Sequence, residues 1–282
     1  MGKLILGAHV SIAAGFPEAA LFAREKLQAN ALQIFAKSPR SNGKSKLIEA
    51  EAATYRAATK NIFTVIHCSY LLNFAKDLSK INYPLENLID DLHSSEMLGA
   101  AGVILHVGKH LELSRAEGIA WIVKNLQYVL EKTKNLKSAI ILEITAGQGT
   151  ELGNNFAELR EIYTQLGKPK RIKFCFDTCH AFAGSYDLRD AAKVKKVFSE
   201  LDKTLGIKNL SCIHFNDALS EFSSRVDRHA NLGEGKIGKA GLLAVAKFAE
   251  KNSIPLILET PEKDGNSHAD DLKKLRSWLK KN

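Results

Sequence analysis

Eight short apolar runs, rich in β-branched residues, constrain the fold of this chain more than any other feature. The runs are mostly continuous rather than alternating, which is typical of parallel strands that are covered on both faces. They therefore predict strands buried between other elements. The eight runs are Lys3–His9, Ala31–Ala36, Phe63–His67, Val103–His106, Ala139–Ile144, Ile172–Asp177, Leu210–Phe215 and Ile254–Glu259.

Segments with helical spacing separate these runs. Between the fourth and fifth runs, apolar residues from Ile119 to Leu130 recur at intervals of three and four, which would place them on one face of a helix. Eight strand–helix units in 282 residues favour a single (β/α)₈ barrel, the TIM barrel, as one domain over residues 1–282. A doubly wound open sheet is the alternative, because counting strands does not exclude it. The other predicted helices cover about Pro17–Gln28, Ile48–Thr59, Leu85–Leu98, Asn155–Leu166, Arg189–Leu205, Lys239–Lys251 and Ala269–Lys280.

Most of the predicted strands end in a side chain that can bind a metal ion. In a barrel the carboxyl ends of all strands lie at one rim, where active sites of this fold are built. A further pair, Asp227 and His229, stands two residues apart, so an extended backbone would point both side chains the same way. The residues at or near the strand ends are His67, His106, Glu143, Asp177, His180, His214 and Glu259.

Taken one at a time these residues have ordinary interpretations, since a histidine at a strand end is commonly only hydrogen-bonded and Asp177 could cap a helix. Together they supply imidazoles and carboxylates without thiolate, a set that suits zinc, manganese or iron, with zinc favoured by the histidines. Nine ligands exceed the needs of one ion and suit two or three. Two ions roughly 3.5–4 Å apart can clamp the attacking and leaving oxygens of a phosphodiester, so we predict phosphoester hydrolysis at a multinuclear metal site.

The remaining histidines carry weaker signals. His9 and His110 fall at the same rim, where metal-bound imidazoles need outer partners, and we expect them in that role. His93 and His268 fall within or beside predicted helices, and we expect them at the surface.

A glycine-rich stretch, Gly233–Gly238, matches G-x-G-x-x-G letter for letter. It does not follow a strand, as a dinucleotide-binding site requires. We therefore interpret it as a tight loop that holds the preceding Asp227 and His229.

Composition limits the compartment and the partners. The formal charge of +9 and the pI of about 9.2 are compatible with a polyanionic partner such as nucleic acid. The four cysteines lie in or beside apolar runs, which indicates buried, reduced thiols rather than a disulfide framework. No apolar stretch approaches the ~18 residues of a membrane span, and the first residues lack a signal-peptide layout. We expect a cytoplasmic protein, associated with the nucleoid if the source is bacterial.

Seven longer blocks of sequence surround the candidate ligands. They are Gly7–Ser11 (GAHVS), His67–Leu71 (HCSYL), Leu142–Gly149 (LEITAGQG), Phe176–Phe182 (FDTCHAF), His214–Asp217 (HFND), Ser224–His229 (SRVDRH) and Leu258–Pro261 (LETP). In these blocks the chain resembles endonuclease IV, the zinc-dependent apurinic/apyrimidinic endonuclease family of the xylose isomerase-like barrels. The resemblance covers nearly the whole chain, and several blocks are long enough to be highly specific.

The resemblance implies three zinc ions at the C-terminal rim, with manganese possible in part. A hydroxide between the first two ions would attack the phosphate 5′ to an abasic deoxyribose, leaving a 3′-hydroxyl and a 5′-deoxyribose phosphate, and blocked 3′ ends would also be cleared. It implies catalytic roles for Glu143 and Glu259, with Glu143 bridging the first two ions. The implied ligands are His67, His106 and Glu143 for the first ion, Glu143, Asp177, His214 and Glu259 for the second, and His180, Asp227 and His229 for the third.

The resemblance also implies a partner, double-stranded DNA containing abasic sites, bound by a monomer. Arg40, in the basic segment Lys37–Lys46, matches a family arginine that enters the duplex at the lesion, and Tyr70 and Leu71 match the residues that accompany it. An abasic site lacks the stacking of one base, so bending and flipping cost less there. Without the resemblance, the same residues would be interpreted as a solvated basic loop and a buried Tyr–Leu pair.

Three positions depart from the family pattern. Asn42 stands where an aromatic residue is usual, Ile144 where asparagine is usual, and Leu219 where lysine is common. All nine implied ligands are intact, so these departures bear on the contacts with lesion and phosphate and not on the metal chemistry.

Two other functions compete with the nuclease. A sugar isomerase or epimerase on a related barrel would use a quartet that Glu143, Asp177, His214 and Glu259 also satisfy, but it would not need the five further ligands or the basic loop. A catalytically inactive DNA-damage binder would keep the fold, yet such a protein would usually lack a ligand. One bound ion would favour the isomerase, and three the nuclease.

Overall fold

Eight parallel strands close into a barrel in the computed structural model of the protein, which describes residues 2–40, 43–262 and 267–280. Strands that follow one another around the ring are paired, and the last barrel strand pairs with the first, with Leu6 opposite Leu256 and Ala8 opposite Leu258. The closed ring confirms the predicted TIM barrel and excludes the open doubly wound sheet. The barrel strands are β1 (Leu6–His9), β2 (Ala31–Ile34), β3 (Phe63–His67), β4 (Gly102–Leu105), β5 (Ala139–Glu143), β6 (Ile172–Asp177), β7 (Leu210–His214) and β10 (Leu256–Leu258).

Helices connect the barrel strands, and helix α4 (Arg115–Lys132) illustrates how the sequence starts such a helix and packs it. The side chain of Ser114 accepts a hydrogen bond from the N–H of Glu117, and the side chain of Glu117 accepts one from the N–H of Ser114, so the helix begins with a capping box. Ile119, Ile122 and Leu126, spaced by three and four, are fully buried on one face. The helices are α1 (Phe16–Leu21), which continues as a π-helical turn (Phe22–Lys26), α2 (Glu49–Ala58), α3 (Tyr83–Leu98), α4 (Arg115–Lys132), α5 (Phe156–Gln165), α6 (Thr178–Ala183), α7 (Ala191–Thr204), a 3₁₀ turn (Ile207–Asn209), α8 (Gly238–Asn252) and α9 (His268–Lys280).

The inside of the barrel is a packed core rather than a pore. Small and branched side chains from successive strands fill it, separately from the larger apolar cluster between strands and helices. The metal-binding residues described below therefore stand on a closed floor. The buried residues of this inner core are Ala31, Val65, Ile104, Ala139, Ile141, Cys175, Cys212 and Ile257.

A short antiparallel hairpin follows β7 at the rim. It consists of β8 (Asp217–Ala218) and β9 (His229–Ala230), with Asp217 opposite Ala230 and Ala218 opposite His229. The hairpin brings Asp227 and His229 back to the rim at which β7 ends. This return explains how residues thirteen or more positions beyond a strand end rejoin the strand-end side chains.

The glycine-rich stretch wraps around one buried carboxylate. Asp217 accepts hydrogen bonds from the backbone N–H groups of Gly233 (3.0 Å), Gly235 (3.1 Å) and Ile237 (3.0 Å). Gly235 passes so close that a Cβ atom there would lie 2.4 Å from the carbonyl oxygen of Ala218. The stretch is a tight loop, as predicted, and Asp217 anchors it at the start of α8. That the loop holds Asp227 and His229 stays a prediction.

Other predictions concern the chain as a whole. All four cysteines are buried and outside disulfides, as predicted. No helix in the described part of the chain is long and apolar enough to cross a membrane. The assignment of residues 1–282 to one domain stays a prediction.

Candidate metal centre

All nine predicted metal ligands lie together at the carboxyl rim of the barrel. Most of them owe this position directly to strand ends, because parallel strands present their last residues at one edge. Four are the last residues of their strands (His67, Glu143, Asp177 and His214), and two lie one residue further on (His106 and Glu259). The others come from helix α6 (His180) and from the hairpin (Asp227 and His229).

The fully buried carboxylate of Glu143 is the centre of the arrangement. Its Oε2 lies 3.3 Å from Nε2 of His67 and 3.0 Å from Nε2 of His106. Its Oε1 lies 2.9 Å from Nδ1 of His214 and 3.2 Å from Nδ1 of His180. One carboxylate thus faces four imidazoles, two with each oxygen.

Asp177 and Glu259 extend the arrangement beyond Glu143. Nδ1 of His214 lies 3.1 Å from Oε2 of Glu259 and 3.9 Å from Oδ2 of Asp177. Asp177 is oriented by two further hydrogen bonds, since Oδ1 accepts the N–H of His180 (2.7 Å) at the start of α6 and Oδ2 accepts Nδ2–H of Asn216 (2.8 Å). The carboxylate is therefore fixed before any ion binds.

A third group lies under the hairpin. Asp227 places Oδ2 3.3 Å from Nε2 of His180 and Oδ1 3.4 Å from Nε2 of His229. The same nitrogen of His229 lies 3.6 Å from Oδ2 of Asp177. As the sequence spacing predicts, Asp227 and His229 point to a common place.

The hydrogen bonds of the imidazoles test whether cations fit this site. Nδ1 of His229 donates to the carbonyl of Glu259 (3.1 Å), so in the neutral ring Nε2 carries a lone pair. Within the described part of the chain that buried Nε2 has no hydrogen-bond partner, yet it faces carboxylate oxygens of Asp177 and Asp227. His67 shows the same arrangement, with Nδ1 donating to the carbonyl of Cys68 (2.7 Å) and Nε2 facing Glu143. A lone pair facing a carboxylate is repulsive unless a proton or a metal cation lies between them, and the residues present fit metal ions.

The nine side chains fall into three groups, in each of which the ligand atoms lie within 4.8 Å of one another. The groups are His67, His106 and Glu143; Glu143, Asp177, His214 and Glu259; and His180, Asp227 and His229. Cys175 and Cys179 also approach these groups, but burial raises the pKa of both thiols. A thiol that stays protonated is a poor ligand, so the carboxylates and imidazoles form the candidate site.

The electrostatics also favour positive charge at the centre. Burial opposes the charged form of His214, but Glu143 and Glu259 outweigh it and raise the pKa of His214 well above its ordinary value. Burial likewise opposes ionisation of Glu143, but His214 and His106 outweigh it and hold the pKa of Glu143 well below its usual range. The carboxylate of Glu143 is thus poised to stay ionised, which is the state in which it binds metal.

Two amides that orient the ligands are not among the predicted site residues. Gln33, fully buried in β2, donates from Nε2 to Oε1 of Glu259 and accepts at Oε1 from Nε2–H of His214 (2.7 Å). Asn216 contacts Asp177 through Nδ2 and accepts the N–H of Glu259 at Oδ1 (2.8 Å). A lone amide within an otherwise apolar strand is the signal that could have identified Gln33.

The other histidines differ in how well their predicted positions hold. Nδ1 of His9 accepts a hydrogen bond from Gln33 (3.1 Å), which places it one side chain from the ligands, whereas His110 donates to the carbonyl of Leu113 within its own loop.

His93 is exposed, as predicted. The surface prediction for His268 is wrong: its ring is buried at the start of α9, where Nε2 donates to the carbonyl of Thr260 (3.0 Å). Helical spacing alone did not reveal which face of α9 it occupies.

Comparison with known proteins agrees with the fold and the site. The family model for xylose isomerase-like TIM barrels matches residues 23–282. A probable endonuclease 4 of Nitrosopumilus maritimus is 37% identical over 279 residues, which cover 97% of this chain and 99% of that protein. The crystal structure of endonuclease IV from Thermus thermophilus superposes with a TM-score of 0.86 at 31% identity, covering 99% of this chain and 100% of the other. The chain belongs to the endonuclease IV family.

This membership of the endonuclease IV family confirms the predicted family and the predicted class of enzyme, a hydrolase of the endonuclease IV type. The barrel itself is shared more widely. A 3-keto-D-glucoside 4-epimerase from E. coli superposes with a TM-score of 0.70, covering 98% of this chain and 100% of the other, but at 13% identity. At that identity the likeness concerns the fold alone.

The side chains matched to DNA contacts of the endonuclease IV family lie at the same rim. Arg40 is exposed, and its Nε donates to the hydroxyl of Tyr70 (3.2 Å). Tyr70 and Leu71 are 51% and 56% exposed, so they are not the buried pair that an ordinary core would require. Next to them a cavity of about 250 Å³ opens beside His106, lined also by Lys109.

The three departures from the endonuclease IV pattern fall in different surroundings. Ile144 is buried, and its carbonyl accepts Nδ1–H of His180 (3.0 Å), a backbone contact that does not depend on its side chain. Leu219 is 56% exposed, where a lysine would reach solvent. Asn42 lies outside the described residues.

Proposed function

We propose that this protein hydrolyses the phosphodiester 5′ to abasic sites in double-stranded DNA, leaving a 3′-hydroxyl and a 5′-deoxyribose phosphate, and that it clears blocked 3′ ends. The observation that carries the proposal is the continuous arrangement of three ligand groups around Glu143. We propose three ions, zinc at each with manganese possible in part. The relatives named endonuclease 4 support DNA as the substrate.

The residues at the site would have different roles in phosphoester hydrolysis. Divalent ions held here would activate a water molecule and neutralise charge on the phosphate. Glu143 faces the first group with Oε2 and the second with Oε1, so its carboxylate would help to hold an ion in each group. Glu259, held by Gln33 and by His214, closes the second group on its far side. Phosphoryl transfer needs this positioning and charge neutralisation more than it needs a covalent nucleophile.

Lesion recognition is assigned to the exposed side chains beside the ligands. Arg40, Tyr70 and Leu71 project from the loops after β2 and β3, and the cavity beside His106 offers room near the ions for a displaced nucleotide. Insertion of side chains at an abasic site requires less unstacking than in intact duplex. We therefore propose that these three residues bind DNA at the lesion.

A sugar isomerase or epimerase is the second candidate, because the quartet Glu143, Asp177, His214 and Glu259 is itself a compact metal group. The five further ligands argue against it, since an enzyme with one ion would not need them within the same rim. An inactive DNA-damage binder is disfavoured because no ligand is missing. The monomeric state and the cytoplasmic location remain predictions.

The deciding experiment uses zinc-loaded protein and a duplex oligonucleotide with one stable abasic analogue. We expect cutting 5′ to the analogue, a 3′-hydroxyl product, loss of cutting after prolonged chelation, and no cutting of the same duplex without the lesion. Failure to cut by protein shown to hold three ions would point to an inactive binder or another phosphoester. Failure by protein that holds one ion, together with turnover of a ketose, would establish the isomerase.

A further inference from the structure

A lysine near the end of β2 is buried among three oxygen atoms. Nζ of Lys37 lies 2.8 Å from Oδ2 of Asp90, 2.6 Å from Oδ1 of Asp91 and 3.3 Å from the carbonyl of Asn87, all in helix α3. The side chain of Lys37 is only 9% exposed. Lys37 belongs to the basic segment predicted to face DNA, but its charge is already neutralised within the protein. Burying an ion pair often adds little to the stability of a protein, because both charges lose their hydration. The neighbouring contacts of Lys37 point to a second role.

Asp90 also holds the other end of the same segment. Its Oδ2 accepts the backbone N–H of Ser45 (2.8 Å), while the hydroxyl of Ser45 donates to the carbonyl of Ala36 (3.0 Å). The chain thus leaves the barrel at Ala36–Lys37 and is tied back to the same carboxylate at Ser45. Arg40 stands between these two ties.

A third tie reaches the backbone beside Arg40 from the neighbouring loop. The buried hydroxyl of Ser69 donates to the carbonyl of Pro39, and it accepts the N–H of Leu71 (3.2 Å). Ser69 therefore joins the segment that carries Arg40 to the loop that carries Tyr70 and Leu71. The guanidinium stays exposed while the backbone next to it is held from two sides.

We propose that Asp90, Lys37 and Ser69 are positioning residues that hold Arg40 ready to enter the duplex at the lesion; this rests on the proposed function. A long arginine on a loose loop would lose conformational freedom on binding, and this loss would weaken binding. A loop already fixed at both ends avoids most of that loss. The ties act on lesion recognition and leave the ligand groups untouched.

A double-mutant cycle between Asp90 and Arg40 tests the proposal. Asp90→Ala raises KM for the abasic duplex roughly tenfold with little change in kcat, because ordering of Arg40 is part of binding. In an Arg40→Ala background, Asp90→Ala has little further effect, since the residue through which it acts is gone. Glu86→Ala, an exposed position on the same helix, is the matched control and keeps the wild-type KM.

Metal content and thermal unfolding distinguish a loss of Arg40 positioning from a loss of protein folding. Positioning predicts wild-type metal content in Asp90→Ala together with the raised KM. If Asp90→Ala fails to fold, Ser69→Ala decides in its place, because it removes one hydroxyl and keeps the fold, and we expect a smaller rise in KM that Arg40→Ala again abolishes. Additive effects in either cycle, or a wild-type KM in the folded variant, overturn the proposal. Wild-type protein that holds three ions and cuts no abasic duplex defeats the proposed function instead.

Discussion

Nε2–H of His214 donates a 2.7 Å hydrogen bond to the amide oxygen of Gln33. The amide cannot be turned round, because its nitrogen must donate to the carboxylate of Glu259. The bond therefore fixes the orientation of the His214 ring, with Nδ1 directed at Oε1 of Glu143 (2.9 Å). Outer partners of this kind set the orientation of metal-binding imidazoles.

Gln33→Leu should weaken metal binding roughly 10- to 100-fold, because His214 and Glu259 lose their common partner. Metal content after dialysis against a graded series of chelator concentrations measures the change. Gln165→Leu, an exposed glutamine on α5, is the control and should keep wild-type affinity. An unchanged chelator midpoint in Gln33→Leu would show that the amide does not tune the site.

Substitution of the ligands should remove ions in a graded way. His229 is a ligand in the third group alone, so His229→Ala should lower the metal stoichiometry by one ion. Glu143→Gln affects two groups and should lose at least two ions and about 10³-fold or more of the activity, while the far-ultraviolet circular dichroism of the barrel persists. Equal stoichiometry in the two variants, or normal incision by Glu143→Gln, would contradict the proposed role of Glu143.

Asp217→Ala should destabilise the protein by about 3 kcal/mol, because three backbone N–H groups, one of them buried and two at least partly so, lose a charged acceptor at once. Asp190, the half-exposed cap of α7, accepts the N–H of Lys193, and Asp190→Ala should cost only about 1 kcal/mol. Urea unfolding of both variants makes the comparison. Similar losses of unfolding free energy in the two variants would mean that the loop Gly233–Gly238 is held by other contacts.

Asp91 should impose a pH dependence on stability. Because Asp91 is more deeply buried than Lys37, burial outweighs the attraction of Lys37 and raises the pKa of Asp91 from 3.8 to about 6. A carboxyl with a raised pKa in the folded state contributes stability below its unfolded pKa, and this contribution is lost as the pH rises through about 6.

The free energy of unfolding of the wild type, relative to Asp91→Asn, should therefore fall by roughly 2–3 kcal/mol between pH 4 and pH 7. Urea unfolding of the two proteins at matched metal loading gives this difference at each pH. A difference that stays constant over the range would show that Asp91 titrates normally.

The sequence predicted the metal ligands best where a ligand directly follows an apolar run. A continuous apolar run indicates where a buried strand ends, and four ligands are the last residues of their strands in the structure: His67, Glu143, Asp177 and His214. Asp217 could not be predicted in the same way, since its partners are backbone N–H groups up to 21 residues away, and backbone groups carry no sequence signature. Lys37 was assigned to a basic loop because the carboxylates that neutralise it stand more than fifty residues further on.

The closed inner core of the barrel has a consequence for metal exchange. Apolar side chains such as Val65, Ile104 and Ile257 seal the floor beneath the ligands, so ions can leave only toward the rim. A chelator would approach along the route by which DNA would reach the ions. Bound abasic duplex should therefore slow metal loss, and the half-life of bound zinc in excess chelator should lengthen with duplex occupancy.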